Sequence, residues 1–362
     1  MMSIIQEAMK KKIAWLLVMG LLVSLTACGG ATGTGSTSSR STGTAENADA
    51  KVIKISHQNA ASHPIQQGLL EFKKLLEEKS DGAITCDIYD SAVLGNDISN
   101  IQQVIAGQLD AAMIMGVCLW AGYDERANFE ELPFLFDNAE EAWAAYDGEM
   151  GAWAAENIIE PYGGKVVGYW ENGMRHFTNN SREITTPADM AGLKFRCPQV
   201  TIHLDMYDVL NSSAITMAFS ELYTALQQGT VDGQDNPLGN IVASSLYEVQ
   251  PYISLSGHMY NTSVFFFSDG FWGSLSAEEQ QLISECSQEA ANFTRQLNIE
   301  YEKDYLQTMR DYGCEIVEVD RDAFKTAIAP LWQTYVDKFG NEFISAAKPY
   351  ISDQNSLAHQ FG

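Results

Sequence analysis

Basic residues are scarce in this chain of 362 residues. Lysine and arginine together number 22 against 47 aspartates and glutamates, which gives a formal net charge of -25 at pH 7. Nucleic acids and anionic membrane surfaces bind basic patches, so we expect neither as a partner. A small anionic ligand is still allowed, because salt screens exposed charges beyond about 8 Å and a local pair of arginines can outweigh distant carboxylates.

Recurrent catalytic motifs are missing as well. The sequence holds no Gly-x-Ser-x-Gly elbow, no Gly-x-x-x-x-Gly-Lys loop and no His-Glu-x-x-His pair, and its six histidines show no metal-ligand spacing. We therefore assign no catalytic residue, no metal site and no cofactor. A secreted acidic hydrolase remains an alternative, because two of the 47 acidic residues could form a catalytic pair.

Cysteine is infrequent and widely spaced. Besides Cys28 there are five cysteines without close pairing or metal-ligand spacing: Cys86, Cys118, Cys197, Cys286 and Cys314. We interpret these five mainly as small buried apolar residues. One disulfide among them is left open.

The N-terminal segment indicates the compartment. Lys10, Lys11 and Lys12 precede an apolar run at residues 13–23, which is too short for a comfortable bilayer span and is followed by Leu-Thr-Ala and Cys28. This order predicts a lipoprotein signal peptide over residues 1–27 and lipid attachment at Cys28. Residues 28–50 are mostly small and polar and are expected to form a flexible tether. We expect an extracytoplasmic protein, anchored by lipid to the cell membrane on its periplasmic side or outer face.

Alternating strand and helix patterns begin at Lys51. The predicted elements are a strand over Lys51–Ser56, a helix from Pro64, a strand over Ile84–Tyr89, a helix capped by Asp97, and a strand over Ala111–Met115. A second α/β set follows over residues 173–259. This order predicts an α/β fold with a mostly parallel sheet, covered by helices on both faces, whose ligand lies beyond the carboxyl ends of the strands.

A long helix is predicted near the C-terminus. Ser276 and Glu279 form a capping box, and the helical pattern then continues to about Tyr312. Such a helix reaches about 55 Å, which is longer than one lobe of ordinary size. We expect it to brace two lobes.

Two of the eight arginines fall at the ends of predicted strands, where the cleft of such a sheet is expected. They are Arg175 and Arg196. A guanidinium in that place can bind a carboxylate through two parallel hydrogen bonds. Trp170 offers a ring for stacking, and Asn236 offers a donor and an acceptor in a turn after a short strand.

Three ordered segments carry a resemblance to a known family. They read Glu-Asn-Gly-Met-Arg-His-Phe-Thr-Asn (171–179), Met-Ala-Gly-Leu-Lys-Phe-Arg-Cys-Pro (190–198) and Met-Ala-Phe-Ser-Glu-Leu-Tyr-Thr-Ala-Leu-Gln-Gln-Gly-Thr-Val-Asp-Gly-Gln-Asp-Asn-Pro (217–237). Together they closely resemble the DctP-type solute-binding subunits of tripartite ATP-independent periplasmic (TRAP) transporters. Residues 132–136 and the long helix also resemble that family, so the resemblance extends from Lys51 to the end of the chain.

The resemblance implies a two-lobed fold like that of periplasmic binding proteins, with a ligand cleft between the lobes and the long helix spanning both. Lobe I would comprise residues 51–172 and 261–300, and lobe II residues 173–260 and 301–362. The chain would cross between the lobes near Gly173, Tyr260 and Glu300.

The resemblance also implies roles for individual residues. Arg196 would bind the ligand carboxylate directly, and Arg175 would make a second contact to a carboxylate or hydroxyl. Asn236 would be a third ligand-binding residue. The family commonly has glutamate before that asparagine, whereas this chain has Asp235, which makes Asp235 a weaker candidate. The other candidates for the pocket lining, by position, are Gln58, Asn59, His63 and Trp170, with His57 and Trp120 beside them.

The implied function is that of a TRAP receptor, not an enzyme, that captures a small organic acid and delivers it to a membrane permease driven by an ion gradient. A sugar acid such as a hexuronate is favoured, because the polar candidates suit a polyhydroxylated ring. C4-dicarboxylates, 2-keto or 2-hydroxy acids and sialic acid follow. A sensor that signals to a membrane kinase would share the fold. We expect a monomer.

Overall fold

Nine strands of residues 50–362, the part of the chain that the computed structural model describes, form one sheet. The predicted signal peptide, Cys28 and the tether lie outside the described residues. The spatial order is β2-β1-β3-β8-β4-β7-β5-β6, with β9 beside β8. The strands are β1 Lys51–Ser56, β2 Ile84–Tyr89, β3 Ala111–Ile114, β4 Lys165–Asn179, β5 Lys194–Cys197, β6 Ser213–Thr216, β7 Gly233–Pro237, β8 Tyr252–Phe267 and β9 Glu315–Glu318.

Helices connect and cover these strands. The α-helices are α1 Pro64–Lys79, α2 Asp97–Ile105, α3 Ala139–Asp147, α4 Glu149–Ala154, α5 Thr201–Val209, α6 Leu222–Gln227, α7 Leu238–Ala243, α8 Asp269–Gly273, α9 Ala277–Tyr312, α10 Arg321–Phe339, α11 Glu342–Ala347 and α12 Leu357–Phe361. Shorter 3₁₀ segments lie at Val117–Gly122, Glu125–Glu131, Glu160–Tyr162, Pro187–Met190, Phe219–Glu221, Leu246–Glu248 and Lys348–Tyr350, and a π segment at Ala155–Ile159. Among the residues described, no helix is long and apolar enough to cross a membrane.

The centre of the sheet differs from its two ends. β1 pairs in parallel with β2 and β3, and β5 pairs in parallel with β6 and β7, as the βαβα pattern predicts. The two long strands β4 and β8, of 15 and 16 residues, pair antiparallel with each other and join the two parallel ends. The predicted crossings at Gly173 and Tyr260 fall in the middle of these strands; the lobe boundaries remain a prediction.

Local signals set several bounds as predicted. The strands β1 and β2 have the predicted bounds, and α9 begins after the capping box of Ser276 and Glu279 and runs for 36 residues. The prediction for α2 was wrong at its cap. Asn96 is the cap, because its side chain accepts the Ser99 N–H at 3.0 Å, and Asp97 is the first helical residue.

Three hydrophobic clusters form the core, and α9 joins two of them. Ile283 of α9 lies in the cluster under α1, β1 and β2, whereas Met309 lies in the cluster around α6 and α7. The helix therefore braces separate parts of the fold, as its length predicts. The five cysteines of the described residues are buried and unpaired with one another.

Candidate functional site

A polar cavity of about 540 Å³ opens where β1, β3, β5 and β7 end against the middle of β4 and β8. The lining residues are Gln58, Asn96, Asp97, Ile98, Met115, Cys118, Leu119, Glu131, Asn172, Arg175, Arg196, Pro198, Gln199, Met217, Ala218, Phe219, Asn236, Asn240 and Asn261. The predicted residues Gln58, Arg175, Arg196 and Asn236 are thus brought together in one cavity.

Arg196 is the cation of this cavity that lacks a counter-charge. Only 3% of the residue is exposed, and the arginine ion pairs found within residues 50–362 all involve other arginines. Its Nε and Nη2 donate to the carbonyl oxygen of Met217 at 3.0 and 2.7 Å. Burial, and then the neighbouring charge of Arg175, lower the pKa of Arg196 to about 10, so the group stays protonated at neutral pH. A buried charge without a partner is unfavourable, and an anion in the cavity would relieve that cost.

Arg175 already has a counter-charge. Its Nε donates to Asp235 Oδ2 at 2.6 Å, its Nη2 donates to the Asp235 carbonyl oxygen, and the Tyr207 hydroxyl donates to Asp235 Oδ1 at 2.8 Å. Burial raises the pKa of Asp235, but Arg175 and His203 outweigh burial and hold this pKa well below its usual range. Asp235 lies behind the cavity lining and holds Arg175 in position.

Glu131 and His203 form a second buried pair that the sequence analysis did not find. Their Oε2 and Nε2 atoms are 3.2 Å apart, and Glu131 Oε1 accepts the Asn261 Nδ2–H at 2.6 Å. Burial lowers the pKa of His203, yet Asp235 and Glu131 on either side of the ring outweigh burial and raise this pKa. Within residues 50–362, Arg175 thus pairs with Asp235 and Glu131 lies against His203, whereas Arg196 makes no ion pair.

Asp97 is a further residue that the sequence analysis missed, because its pattern was interpreted as a helix cap. The residue is 3% exposed and lines the cavity. Its Oδ2 accepts the Met115 N–H at 3.3 Å, whereas its Oδ1 is buried and has no hydrogen-bond partner among the described residues. Burial raises the pKa of Asp97 to about 8, so at neutral pH the group is largely a neutral carboxylic acid that can both donate and accept.

A chain of side-chain hydrogen bonds runs from Asn236 to the start of α1. Asn236 Nδ2 donates to Gln234 Oε1, and Asn240 Nδ2 donates to Asn236 Oδ1 at 3.3 Å. His63 binds Asn240 Oδ1 through Nε2 and accepts the Ile65 N–H through Nδ1 at 3.2 Å, so it caps α1. Burial lowers the pKa of His63 to about 3 and the ring is neutral. His63 therefore lies one residue behind the cavity and orients Asn240.

The remaining predicted residues lie away from the cavity. Trp170 is fully buried in the cluster between α1 and α9, and its Nε1 donates to Ser287 Oγ at 3.1 Å. Trp120 is fully buried in the largest cluster. Asn59 is 2% exposed and lies outside the cavity lining. Trp170 is therefore a core residue, because its side chain packs against Phe72 and Phe265.

The fold and cavity together define an α/β solute receptor of the periplasmic-binding-protein kind. The sequence profile of bacterial extracellular solute-binding proteins of family 7 (DctP) matches residues 55–338. The 2,3-diketo-L-gulonate-binding periplasmic protein of Escherichia coli is 30% identical over 280 residues, which cover 77% of this chain and 85% of that protein. An uncharacterised protein of Sinorhizobium fredii is 34% identical over 278 residues, which cover 76% of this chain and 51% of that protein.

Solved structures agree with this assignment. A TRAP periplasmic solute-binding protein from Polaromonas sp. JS666, bound to D-erythronate, matches with a TM-score of 0.80 at 30% identity and covers 84% of this chain and 100% of that chain. Similar structures from Advenella mimigardefordensis, Sulfitobacter sp. NAS-14.1 and Shewanella oneidensis contain galactonate, β-D-galacturonate and succinate.

The chain belongs to the DctP family and is an extracytoplasmic solute receptor for small acids of the TRAP type. This confirms the resemblance and the two-lobed fold class. The alternative of a secreted hydrolase is not supported, since the family and the similar structures are solute-binding proteins and not enzymes.

Proposed function

We propose that the ligand is a sugar acid with one carboxylate and several hydroxyl groups, such as a hexuronate or an aldonate. The observation that carries the proposal is the pairing, in one cavity, of an uncompensated guanidinium at Arg196 with a buried and half-unpartnered carboxyl at Asp97. Arg196 suits a single carboxylate, and Asp97 suits a hydroxyl that can donate to its free oxygen.

The charge balance favours a monocarboxylate over a dicarboxylate. A second carboxylate would require a second available cation, but Arg175 is already neutralised by Asp235 at 2.6 Å. The ligand groups beyond the carboxylate would instead meet Asn236, Asn172 and Gln58, whose amides are uncharged. A C4-dicarboxylate is therefore the second candidate.

Binding would be driven by exchange of water for fixed polar groups. The Nε–H and one Nη2–H of Arg196 are engaged by Met217, so the carboxylate would bind the Nη1 side of the fork. Closure of the lobes removes water from the cavity, and charge-assisted hydrogen bonds strengthen as the local dielectric falls. Asp235 and Tyr207 would hold Arg175 rigid throughout.

The ligands of similar proteins support this proposal. The names of the Escherichia coli and Polaromonas proteins specify diketogulonate and D-erythronate, and two further structures contain galactonate and β-D-galacturonate. All four ligands are acids of hydroxylated carbon chains. The succinate complex from Shewanella oneidensis is the reason to keep a C4-dicarboxylate in the test.

A ligand screen by thermal unfolding tests the proposal. Uronates, aldonates, dicarboxylates, 2-keto acids, sialic acid and neutral sugars would be added singly to the purified protein. A ligand at one hundred times its dissociation constant stabilises by about 2.7 kcal/mol, which raises the unfolding temperature by a few degrees. A response confined to sugar acids supports the proposal. A response confined to dicarboxylates, or to neutral compounds, refutes it.

We also propose that Cys28 carries the lipid anchor and that residues 1–27 are cleaved as a signal peptide. Three lysines and a short apolar run before Leu-Thr-Ala and Cys28 support this. Metabolic labelling with a fatty acid would be expected to tag the wild-type protein and not a Cys28→Ser variant. Equal labelling of both proteins would refute the anchor.

A further inference from the structure

A continuous chain of hydrogen bonds runs through buried polar side chains from the start of α1 to the residues before β8. Beyond Gln234 it leads away from the cavity: Gln234 Nε2 donates to Thr178 Oγ1 at 2.9 Å, and Thr178 Oγ1 donates to Gln250 Oε1 at 2.9 Å. Gln250 Nε2 then donates to the carbonyl oxygens of Val249 and Asp232 at 2.9 and 3.2 Å. The members of this polar chain, each at most 4% exposed, are His63, Asn240, Asn236, Gln234, Thr178 and Gln250.

The direction of the bonds in the polar chain is fixed at both ends. At the first end, His63 Nδ1 accepts the Ile65 N–H at 3.2 Å, and the ring is neutral because burial lowers its pKa to about 3. The ring proton is therefore on Nε2, which donates to Asn240. At the other end, backbone carbonyl oxygens can only accept. Each side chain between the ends donates to the next one, so an amide that turned over would lose its hydrogen bonds on both sides.

This direction decides which atoms Asn236 offers to the cavity that it lines. Its Oδ1 accepts one hydrogen bond from Asn240, and its Nδ2 donates one to Gln234. A primary amide has two N–H groups and two oxygen lone pairs, so among the described residues one of each remains for a ligand. A hydroxyl group can use both, because it donates and accepts, whereas the oxygens of a carboxylate or ketone only accept.

We propose that His63, which lies outside the cavity lining, is a positioning residue for ligand selection that holds the amides of Asn240 and Asn236 in the orientation that recognises a hydroxyl of the bound acid. The inference rests on the proposed function, because it takes a hydroxylated acid as the ligand. His63 caps α1, whose Ile65 lies in one hydrophobic cluster, whereas Asn240 belongs to α7, whose Ile241 lies in another. The orientation of Asn236 therefore depends on how these two parts of the fold pack together.

Two variants interrupt the polar chain without changing the cavity lining. His63→Asn keeps a preferred helix cap for α1, but the shorter amide ends before the place of Nε2 and does not reach Asn240. Thr178→Val keeps the shape of a buried side chain and removes the hydroxyl at the other end of the polar chain, so it provides the test if His63→Asn does not fold. The matched control is His359→Asn, at a half-buried histidine of α12 outside the cavity lining.

Isothermal titration of these proteins with D-galactonate, D-galacturonate, malate and succinate tests the role of His63. Each hydroxylated acid that the wild type binds should bind both variants about three- to tenfold more weakly, as expected for about one lost hydrogen bond. Succinate differs from malate only in lacking the hydroxyl, and it should bind within about twofold of the wild type. His359→Asn should bind all four acids as the wild type does. In Asn236→Ala protein, the addition of His63→Asn should cause no further loss, because the positioned amide is already absent.

Wild-type affinity for the hydroxylated acids in both folded variants would overturn the inference. An equal loss for succinate, or a further loss in the Asn236→Ala protein as large as in the wild type, would overturn it too. Failure of the proposed function is a separate result, in which the wild type binds malate but neither sugar acid. Weaker malate binding with unchanged succinate binding in the variants would then still support the role of His63. A wild-type protein that binds succinate alone would overturn both proposals.

Discussion

Replacement of Arg196 by alanine is the sharpest test of the carboxylate site. The residue is 3% exposed, and within the described residues it has no carboxylate partner of its own. A bound anion would be the counter-charge of a desolvated guanidinium. Removal of one member of such a buried pair costs about 2 to 5 kcal/mol, because the other charge is left unpaired.

We therefore expect Arg196→Ala to weaken binding of the sugar acid by about 30-fold to several thousandfold. Arg196→Lys should bind with intermediate affinity, because a single ammonium cannot both hold the Met217 carbonyl oxygen and pair with the ligand as the guanidinium fork can. The exposed Arg310, in the last turn of α9, is the matched control, and Arg310→Ala should bind as the wild type does. Isothermal titration with the best ligand of the screen measures all three.

The stability of the variant must be checked in parallel. Arg196→Ala loses two hydrogen bonds to Met217, but it also removes a buried unpaired cation. These effects oppose each other, so the free energy of unfolding should change by no more than about 2 kcal/mol. Circular dichroism would confirm that the variant is folded. A folded Arg196→Ala protein whose dissociation constant lies within about threefold of the wild type would refute the assignment of Arg196.

Three further predictions concern stability. Between about pH 6.5 and 8, the free energy of unfolding should fall as pH rises. Asp97 and Glu171 have pKa values of about 8 in the folded protein and keep protons that the unfolded chain has released, so each contributes up to about 1.4 kcal/mol per pH unit. Urea midpoints that stay constant across this range would contradict the prediction. Below pH 6.5 the buried histidines His63 and His176 have the opposite effect: they stay neutral in the folded protein while the unfolded chain binds protons, so their contribution to stability is lost as pH falls. Gly68→Ala should cost about 1 to 3 kcal/mol, because the new Cβ would overlap Thr294 Oγ1 of α9. Gly122 has open space at its Cβ position, so Gly122→Ala should not be destabilised by such a contact; equal unfolding midpoints for the two variants would contradict this. Trp170→Phe should lower stability by about 1 to 3 kcal/mol and leave ligand affinity unchanged, so a loss of affinity in titration would return this residue to the site.

Much of the local structure could be predicted because its signals are local. The bounds of β1 and β2 follow from alternation next to turn residues, and the start of α9 follows from Ser276 and Glu279, whose side chains satisfy the first free N–H groups. The bounds of short helices were less accurate. The helix after Asn96 was assigned the wrong cap, because adjacent asparagine and aspartate are equally good cap residues and only the backbone decides between them.

The candidate site could be predicted in part. Arg175, Arg196, Asn236 and Gln58 were named from strand ends and from the family resemblance, and all four line one cavity. Asp97 was not, because nothing in a sequence of 47 acidic residues marks which carboxyl will be buried without a partner.

The class of this protein follows from its sequence, because ordered segments resemble the DctP family and periodic patterns of apolar residues indicate the helices and strands. The charge pairs, in contrast, form only when distant strands and helices pack together. Asp235 neutralises Arg175 from across a strand pair, and Trp170 became core because α1 and α9 close over it. Such pairings join residues far apart in the chain, and their energy depends on burial, which no local pattern specifies. The proposed preference for a monocarboxylate rests on that balance, because within residues 50–362 the guanidinium of Arg196 has no carboxylate partner.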